Sequence, residues 1–285
     1  YLESYKFYQN GNDLKRSMLK FNINDKKKLF IDIKKYFEGT IPKNNDIKKI
    51  NEKVIFIFGL PRSGTTLVEN IISSHNKVSP LGEINYLSKF FNINFVNDNQ
   101  LTTGFINGFL NQDLQKHYFD FIKFFNIKND LVTDKSLNIY WFLGFIKIFF
   151  PKAIFVHCHR DPKDNCLSIF KNLFEDGQGW KYNETELIEY YKLYSEIMMF
   201  WNTLFSDGIF NIKYEELVSN SEKVIKDLIK HCDLDWDEKC LNHHKNNIPI
   251  KTLSLNQANK PIYSSSVKSS NNYKNYLKKI FSSFS

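Results

Sequence analysis

Short apolar runs alternate with longer amphipathic stretches along most of this 285-residue chain. Four of the runs are rich in β-branched and aromatic residues and are bounded by charged residues, glycine or proline. Such runs predict strands that are buried on both faces of a parallel sheet. The predicted strands are residues 53–58, 131–133, 153–157 and 208–213, and residues 79–83 form a shorter candidate strand.

Apolar positions at helical spacing predict helices between these strands. Two helices are expected in residues 1 to about 50, and the others are expected from residue 65, from residue 86, over 105–125, over 139–150, from residue 162 and over 184–205. Strands that alternate with helices are typical of the α/β class. We therefore predict a three-layer sandwich in which helices flank a central, mainly parallel sheet. Residues 1–50 would form an N-terminal helical segment, and residues 51–285 the sheet domain of the same structural unit.

Composition narrows the kinds of partner that this chain can have. Its formal net charge is +8 and its pI is near 9.0, so an anionic ligand is expected. The lysines are scattered among Asn, Ile and Phe rather than gathered in a stripe, which argues against a nucleic-acid interface. No apolar stretch reaches the ~18 to 20 residues of a membrane span, and the N-terminus lacks the apolar part of a signal peptide. Because residue 1 is Tyr rather than Met, further residues upstream are expected.

Cysteine spacing predicts neither a metal site nor a disulfide scaffold. The four cysteines show no CxxC spacing and have no histidine at a metal-ligand distance along the chain. Cys158 lies within a predicted buried strand, where a reduced thiol packs as a small apolar group. We therefore expect reduced cysteines and no bound metal.

Residues 59–66 follow the first predicted strand and open a helix. In that context backbone N–H groups and the positive end of the helix dipole hold an anion, as in the P-loop type of sandwich. An ordinary Walker A loop has a lysine before the Ser/Thr that binds Mg²⁺, whereas here Thr65 stands in its place and Arg62 is the cation of the loop. The loop therefore predicts an anion site unlike that of an ATPase. A plain strand-to-helix turn is the alternative.

A second polar segment starts at Arg160, where the predicted strand at 153–157 gives way to a helix. Asp161 and Pro162 suit the N-cap and first turn of that helix, and ligands of open α/β sheets bind at this edge. Arg160 and Ser168 would have α-carbons about 12 Å apart along the helix, within the reach of an arginine that shares a phosphate with the hydroxyl. The alternative is a helix cap with a surface ion pair.

Together these two segments resemble the sulfotransferases that use 3′-phosphoadenosine 5′-phosphosulfate (PAPS). GLPRSGTTL from Gly59 is similar to their 5′-phosphosulfate loop, and HRDPKDNCLSIF from His159 to their 3′-phosphate site. Residues 81–83, 133–135 and 254–263 further resemble the tyrosylprotein sulfotransferases and the bacterial sulfotransferases that often follow tetratricopeptide repeats. The resemblance extends from about residue 53 to 277, and it allows a tetratricopeptide segment upstream.

The resemblance implies metal-independent transfer of a sulfuryl group from PAPS to a hydroxyl of a carbohydrate, a peptide tyrosine or a small molecule. Glu83 occupies the position of the general base in the tyrosylprotein branch, and Arg62, Lys135 and Ser254 would stabilise the transferring group. Small-molecule sulfotransferases carry a catalytic histidine in a K-T-H segment, but here Lys135 is followed by Ser136. A histidine base is therefore not expected. We interpret His75, His157 and His159 as structural.

The resemblance also implies how the nucleotide is bound, with 3′-phosphoadenosine 5′-phosphate (PAP) as the product. Arg160 and Ser168 would hold the 3′-phosphate, joined by Lys260, and Tyr214 would lie near the adenine. A buried tyrosine at a strand end explains Tyr214 equally well. The predicted cofactor-binding residues are Arg62, Ser63, Gly64, Thr65, Thr66, Arg160, Ser168, Tyr214 and Lys260.

Two other functions remain open at the level of sequence. A P-loop nucleotide or small-molecule kinase would need Mg²⁺ and a group to hold a γ-phosphate, and Thr65 argues against it. A non-catalytic module that binds a nucleotide or a polyanion would explain the loop. It would not explain a shared function of Glu83, Lys135 and Ser254. The Asn, Lys, Ile and Phe bias suggests a bacterial cytoplasmic protein, whereas tyrosylprotein relatives act in the secretory pathway. Oligomeric state is left open.

Overall fold

The computed structural model describes residues 1–39, 53–102, 114–125, 127–245 and 260–284. Within them, five strands form one parallel sheet in the order β2-β5-β1-β6-β7. These are β1 (Lys53–Phe58), β2 (Val78–Pro80), β5 (Leu131–Asp134), β6 (Ile154–His159) and β7 (Phe210–Lys213). A separate antiparallel pair consists of β3 (Val96–Asn97) and β4 (Gln100–Leu101). The predicted α/β class is confirmed, and the carboxyl ends of the five parallel strands meet at one edge.

Helices connect the strands and pack on both faces of the sheet. They are α1 (Leu2–Ser17), α2 (Ile23–Gly39), α3 (Thr65–Ser73), α4 (Tyr86–Phe95), α5 (Leu114–Ile122), α6 (Leu143–Phe149), α7 (Pro162–Phe170), α8 (Glu184–Phe205), α9 (Tyr214–Ser219), α10 (Ser221–His231) and α11 (Lys278–Ser283). The two predicted N-terminal helices and the helix at 184–205 are confirmed. Asp161 caps α7 as predicted, since its carboxylate accepts from the backbone N–H groups of Lys163 and Asp164. The first part of the helix predicted at 105–125 lies outside the described residues.

Two predicted elements differ from the structure in their bounds. The strand predicted at 79–83 ends at Pro80, because Gly82 adopts a positive φ of 67° that breaks the extended backbone. Residues 81 and 82 nevertheless stay beside β5, where the N–H of Leu81 donates to the carbonyl of Thr133. The helix predicted at 139–150 is divided into a 3₁₀ segment, Leu137–Phe142, and α6.

Alternate residues of β1 enter two different cores, as expected for a strand that is covered on both faces. Phe56 and Phe58 join a core rich in aromatic rings, while Ile55 and Ile57 join an aliphatic one. The aromatic core receives α2, α4, α6 and α8, and the aliphatic core receives α3 and α10. None of the helices in the described ranges has the length and apolar character needed to cross a bilayer.

The N-terminal helix α2 packs tightly against α6. The ring of Phe37 lies 4.8 Å from that of Phe145 and 5.1 Å from that of Trp201, measured between centroids. Gly144 provides the room for this ring, because a Cβ at that position would lie 2.4 Å from Cζ of Phe37. Close packing therefore makes this helical glycine necessary.

Two glycine-to-alanine variants test this packing. Gly144→Ala should lower the free energy of unfolding by about 1–3 kcal/mol, because the added methyl group overlaps the Phe37 ring. Gly11→Ala is the matched control, since Gly11 lies in α1 with open space around it and alanine favours the helix by up to about 1 kcal/mol. Urea denaturation measures both, and equal stability of the two variants would contradict this packing.

Candidate functional site

The loop between β1 and α3 is held in a strained shape by the helix that follows β6. The amide of Asn165 donates to the carbonyl of Pro61 at 2.9 Å, and Arg160 Nη1 donates to that of Arg62 at 3.4 Å. Arg62 has a φ of 69° and Gly64 one of 102°. A Cβ at Gly64 would lie 2.8 Å from the ring of Tyr214. Left-handed backbone of this kind is costly, and it clusters at ligand-binding loops.

One pocket at the carboxyl edge of the sheet collects most of the predicted nucleotide-binding residues. Eight of the nine line it, namely Arg62, Gly64, Thr65, Thr66, Arg160, Ser168, Tyr214 and Lys260. The ninth, Ser63, is buried, and its Oγ has no hydrogen-bond partner among the described residues. Residues of the C-terminal segment complete the wall, including Ile262, Tyr263 and Ser266.

Arg160 is a buried cation of the pocket with several contacts. It is 7% exposed, its Nη2 donates to the carbonyl of Ser266 at 2.5 Å, and its guanidinium lies 4.8 Å from the centre of the Tyr214 ring. Nε of Arg160 is buried and has no hydrogen-bond partner in the described part of the chain. A buried donor of this kind is normally satisfied, so its position fits an anionic ligand.

Arg62 lies with the residues that were predicted for the 3′-phosphate. Its Nε donates to Ser168 Oγ at 3.2 Å, and the charge of Arg160 acts on it. Burial lowers the pKa of Arg62, and the charge of Arg160 lowers it further. Chain separation hid this grouping, because Arg62 and Ser168 are 106 positions apart in the sequence. The role of Arg62 at the transferring group stays a prediction.

Lys171 is a further cation of the pocket that the sequence analysis missed. It follows α7, three residues after Ser168, and lines the same wall. Burial lowers its pKa, with additional lowering from Arg62 and Arg160. Asp164 is an acid close to this group, with Oδ2 4.0 Å from Arg160 Nη2, but it also accepts from the backbone N–H groups of Lys268 and Ser270. The pocket is therefore rich in positive charge.

The second part of the site is the ion pair of Glu83 with Lys135. Lys135 follows β5 and is fully buried, and its Nζ donates to Glu83 Oε1 at 2.8 Å. The side chain of Glu83 is 34% exposed, so the carboxylate is open to solvent on one side. Lys135 Nζ also donates to Thr66 Oγ1 at 3.4 Å. Because Thr66 lines the pocket, the ion pair adjoins it. Ser254, predicted as a further donor, lies outside the described residues.

Two buried acids behind this ion pair were also missed. Glu69 of α3 has Oε2 3.8 Å from Lys135 Nζ, and burial raises its pKa to about 7. Asp134 accepts from Tyr118 Oη at 2.9 Å and from Ser136 Oγ at 2.5 Å, and burial raises its pKa to about 6. The one usable signal was an acid at position 69 within an otherwise mostly apolar helix.

The three histidines considered as bases contact structural groups. His75 Nδ1 accepts from the N–H of Lys77, so Nε2 is the atom that donates to the carbonyl of Asp235. His157 lies between Asn211 and Tyr194, and burial lowers its pKa to about 3, which keeps the ring neutral. Burial also lowers the pKa of His159. The four cysteines are buried and not disulfide-bonded, and burial raises the pKa of Cys158.

Comparison with known proteins points to one family. A sequence model of the sulfotransferase family matches residues 54–238. An uncharacterised protein of Aquifex aeolicus is 29% identical over 240 residues, which are 80% of this chain and 31% of that protein. This chain therefore spans about a third of that relative. A Caenorhabditis briggsae protein is 24% identical over 206 residues, which are 68% of this chain and 70% of that protein. Its name, protein-tyrosine sulfotransferase, is itself a prediction.

Two solved structures share the fold. The sulfotransferase domain of the olefin synthase of Synechococcus PCC 7002 has a TM-score of 0.56 at 17% identity, covering 84% of this chain and 97% of that domain. The sulfotransferase domain from the curacin biosynthetic pathway has a TM-score of 0.51 at 16% identity, covering 82% of this chain and 97% of that domain. At these identities the likeness shows the fold alone.

Because the pKa of Asp134 is raised, the protein should lose stability as the pH rises. The variant Asp134→Asn should not show this loss. Between about pH 4 and pH 6 the folded protein keeps a proton on this carboxyl that the unfolded chain has released. The stabilisation is thus fully present below pH 4 and is lost as the pH rises through about 6. The free energy of unfolding should fall by roughly 3 kcal/mol over this range. Urea titrations at several pH values measure the difference between the two proteins. A difference that does not change with pH would contradict the burial of this group.

Proposed function

The chain belongs to the sulfotransferase family, and from this premise we propose that it transfers a sulfuryl group from PAPS to the hydroxyl of an acceptor. The position of Thr66 carries the proposal. This threonine lines the cation-rich pocket, and its Oγ1 accepts a hydrogen bond from Lys135, whose Nζ also contacts Glu83. An anion held by the loop would therefore lie beside a carboxylate that is open to solvent.

The charge of the pocket supports a nucleotide that carries phosphate at two positions. Arg62, Arg160, Lys171 and Lys260 all line it. Nε of Arg160 is a buried donor without a partner among the described residues, and it fits an oxygen of such a ligand. Arg160, Arg62 and Ser168 would hold the 3′-phosphate. The backbone N–H groups before Thr65 and Thr66 would hold the 5′ side, at the positive end of α3.

Each residue of the ion pair has one task in the transfer. When bound, PAPS supplies a sulfuryl group on a phosphate that leaves readily. Glu83 accepts the proton of the acceptor hydroxyl while the hydroxyl oxygen bonds to sulfur. The ammonium of Lys135 stabilises negative charge that develops as the bond from sulfur to the phosphate oxygen breaks. The products are the sulfate ester of the acceptor and PAP, and Glu83 returns its proton to solvent.

Positive side chains would do here what Mg²⁺ does in a kinase. A sulfuryl group carries less charge than a γ-phosphoryl group, so fewer positive charges are needed to stabilise its transfer. Lys135 is fully buried beside Thr66, where its charge is screened little by water. We therefore propose a reaction that needs no metal ion.

Peptide tyrosine is the first acceptor class to test. The Caenorhabditis briggsae relative, whose name assigns it by prediction to protein-tyrosine sulfation, supports this class. Glu83 follows β2 at the edge of the sheet, and its exposure is compatible with an acceptor that arrives from solvent. Carbohydrates and small molecules with a free hydroxyl belong in the same survey.

Incubation with ³⁵S-labelled PAPS and a panel of hydroxyl acceptors tests the reaction. Label should reach an acceptor equally well with and without EDTA. Glu83→Gln should lower the rate by about 10²–10⁴-fold, because the amide cannot accept the proton. Glu222→Gln, at an exposed carboxylate of α10, is the control and should leave the rate unchanged.

Two results would contradict the proposal. One is strict dependence on ATP and Mg²⁺, which would favour a kinase. The other is tight binding of PAP together with no label transfer to any acceptor class, which would favour a module that only binds nucleotides.

Arg160→Ala tests the proposed 3′-phosphate contact separately from catalysis. It should weaken the binding of PAP by about 30-fold or more, because a charge-assisted contact to a phosphate contributes about 2 kcal/mol. The binding of AMP, which lacks the 3′-phosphate, should change only a few-fold. Isothermal titration calorimetry measures both dissociation constants.

Lys163→Ala is the matched control for the loss of one positive charge. Lys163 lies in the same helix, α7, where its ammonium packs over the ring of Phe281. This variant should leave both dissociation constants near those of the unmodified protein. Equal losses for PAP and AMP in Arg160→Ala would remove Arg160 from the 3′-phosphate site.

A further inference from the structure

One buried carboxylate contacts Lys135 and the residue that precedes Glu83. Glu69 lies in α3, near the loop, and is 6% exposed. Its Oε1 accepts from the backbone N–H of Gly82 at 3.0 Å and from Thr133 Oγ1 at 3.3 Å. Its Oε2 lies 3.8 Å from Lys135 Nζ. Glu69 therefore joins α3, the segment after β2 and the end of β5.

These contacts fix the backbone that carries Glu83. Gly82 immediately precedes Glu83, and its carbonyl accepts from the N–H of Lys135 at 3.0 Å. The N–H of Gly82 donates to Glu69, so both backbone polar groups of Gly82 are hydrogen-bonded. Because glycine adopts many backbone conformations, these hydrogen bonds help to hold Gly82 at its positive φ. Glu69 thus determines the direction in which Glu83 leaves the sheet.

Glu69 also shares the ammonium of Lys135 with Glu83. The two carboxylates contact Nζ at 3.8 Å and 2.8 Å. The other charged group that faces Glu69 is Asp134 of β5, which acts to raise its pKa, while Lys135 acts to lower it. When Glu69 is ionised, Lys135 is attracted by two carboxylates instead of one. When Glu69 is protonated, this second attraction is lost and the ammonium of Lys135 is held less firmly.

Resting on the function proposed above, we propose that Glu69 is a positioning residue for sulfuryl transfer, which holds Lys135 and the backbone of Gly82 so that Glu83 faces the acceptor. It acts through these two groups and does not itself contact the reactants. Burial raises the pKa of Glu69 to about 7, so its charge, and with it its attraction for Lys135, changes within the range in which the reaction can be assayed. The pH profile of the rate should therefore have a rising limb centred near pH 7.

Glu69→Gln tests the proposal. The readout is the release of PAP as PAPS transfers its sulfuryl group to the best acceptor found or to water. The variant should lower kcat by about 10- to 100-fold while the dissociation constant of PAP stays within about twofold of the unmodified value. The limb near pH 7 should be absent from its pH profile. A role in folding alone would not remove one limb and leave nucleotide binding unchanged.

Thr133→Val is the matched control in the same buried site. It removes a hydrogen bond to the same carboxylate but leaves the contacts of Glu69 with Lys135 and Gly82. Its kcat should fall less than that of Glu69→Gln. The limb should remain and move to higher pH, because the hydroxyl of Thr133 favours the ionised form of Glu69.

Glu69→Asp keeps the experiment decisive if the glutamine variant does not fold. The shorter side chain keeps the charge but cannot reach both Gly82 and Lys135, so the limb should remain while kcat falls. A folded, PAP-binding Glu69 variant with the kcat and pH profile of the unmodified protein would overturn the inference alone. Unmodified protein that binds PAP but releases none from PAPS would instead overturn the proposed function, and the inference with it.

Discussion

The buried ammonium of Lys135 is the constraint on which the rest of the site depends. A fully buried charge is costly unless acids and hydrogen-bond acceptors surround it. Lys135 has three such neighbours, which are Thr66 and Glu69 of α3 and Glu83 after β2. Meeting this need brings the loop, the end of β5 and the turn after β2 together. Glu83 then has a fixed partner while it remains partly exposed to solvent.

Charge divides the carboxyl edge of the sheet into two regions. Around Arg160 the pocket gathers cations, and repulsion from Arg160 contributes to the lowered pKa of Arg62. Around Lys135 carboxylates outnumber the ammonium. Thr66 is common to both regions, since it lines the pocket and accepts from Lys135. Such an arrangement suits a reaction in which an anion is held on one side and a proton is removed on the other.

The parallel sheet could be predicted from the sequence, because alternating strands and helices bring strand ends to one edge. Several residues that line the pocket, such as Tyr214 and Lys260, were predicted from the resemblance to the PAPS-dependent sulfotransferases. Residue spacing does not give side-chain direction, and so the contact of Arg62 with Ser168 was not foreseen. Glu69 and Lys171 were missed for a related reason. Their contacts are made across the fold, and local pattern gives each of them an ordinary helical position.

A crystal structure with bound PAP would test the central claim most directly. The account predicts the 3′-phosphate within hydrogen-bonding distance of Arg160 and Ser168. It predicts the 5′-phosphate at the loop, beside Thr66 and next to the Lys135–Glu83 pair. A 5′-phosphate bound away from Thr66, with Glu83 out of reach of any group attached to it, would contradict the account.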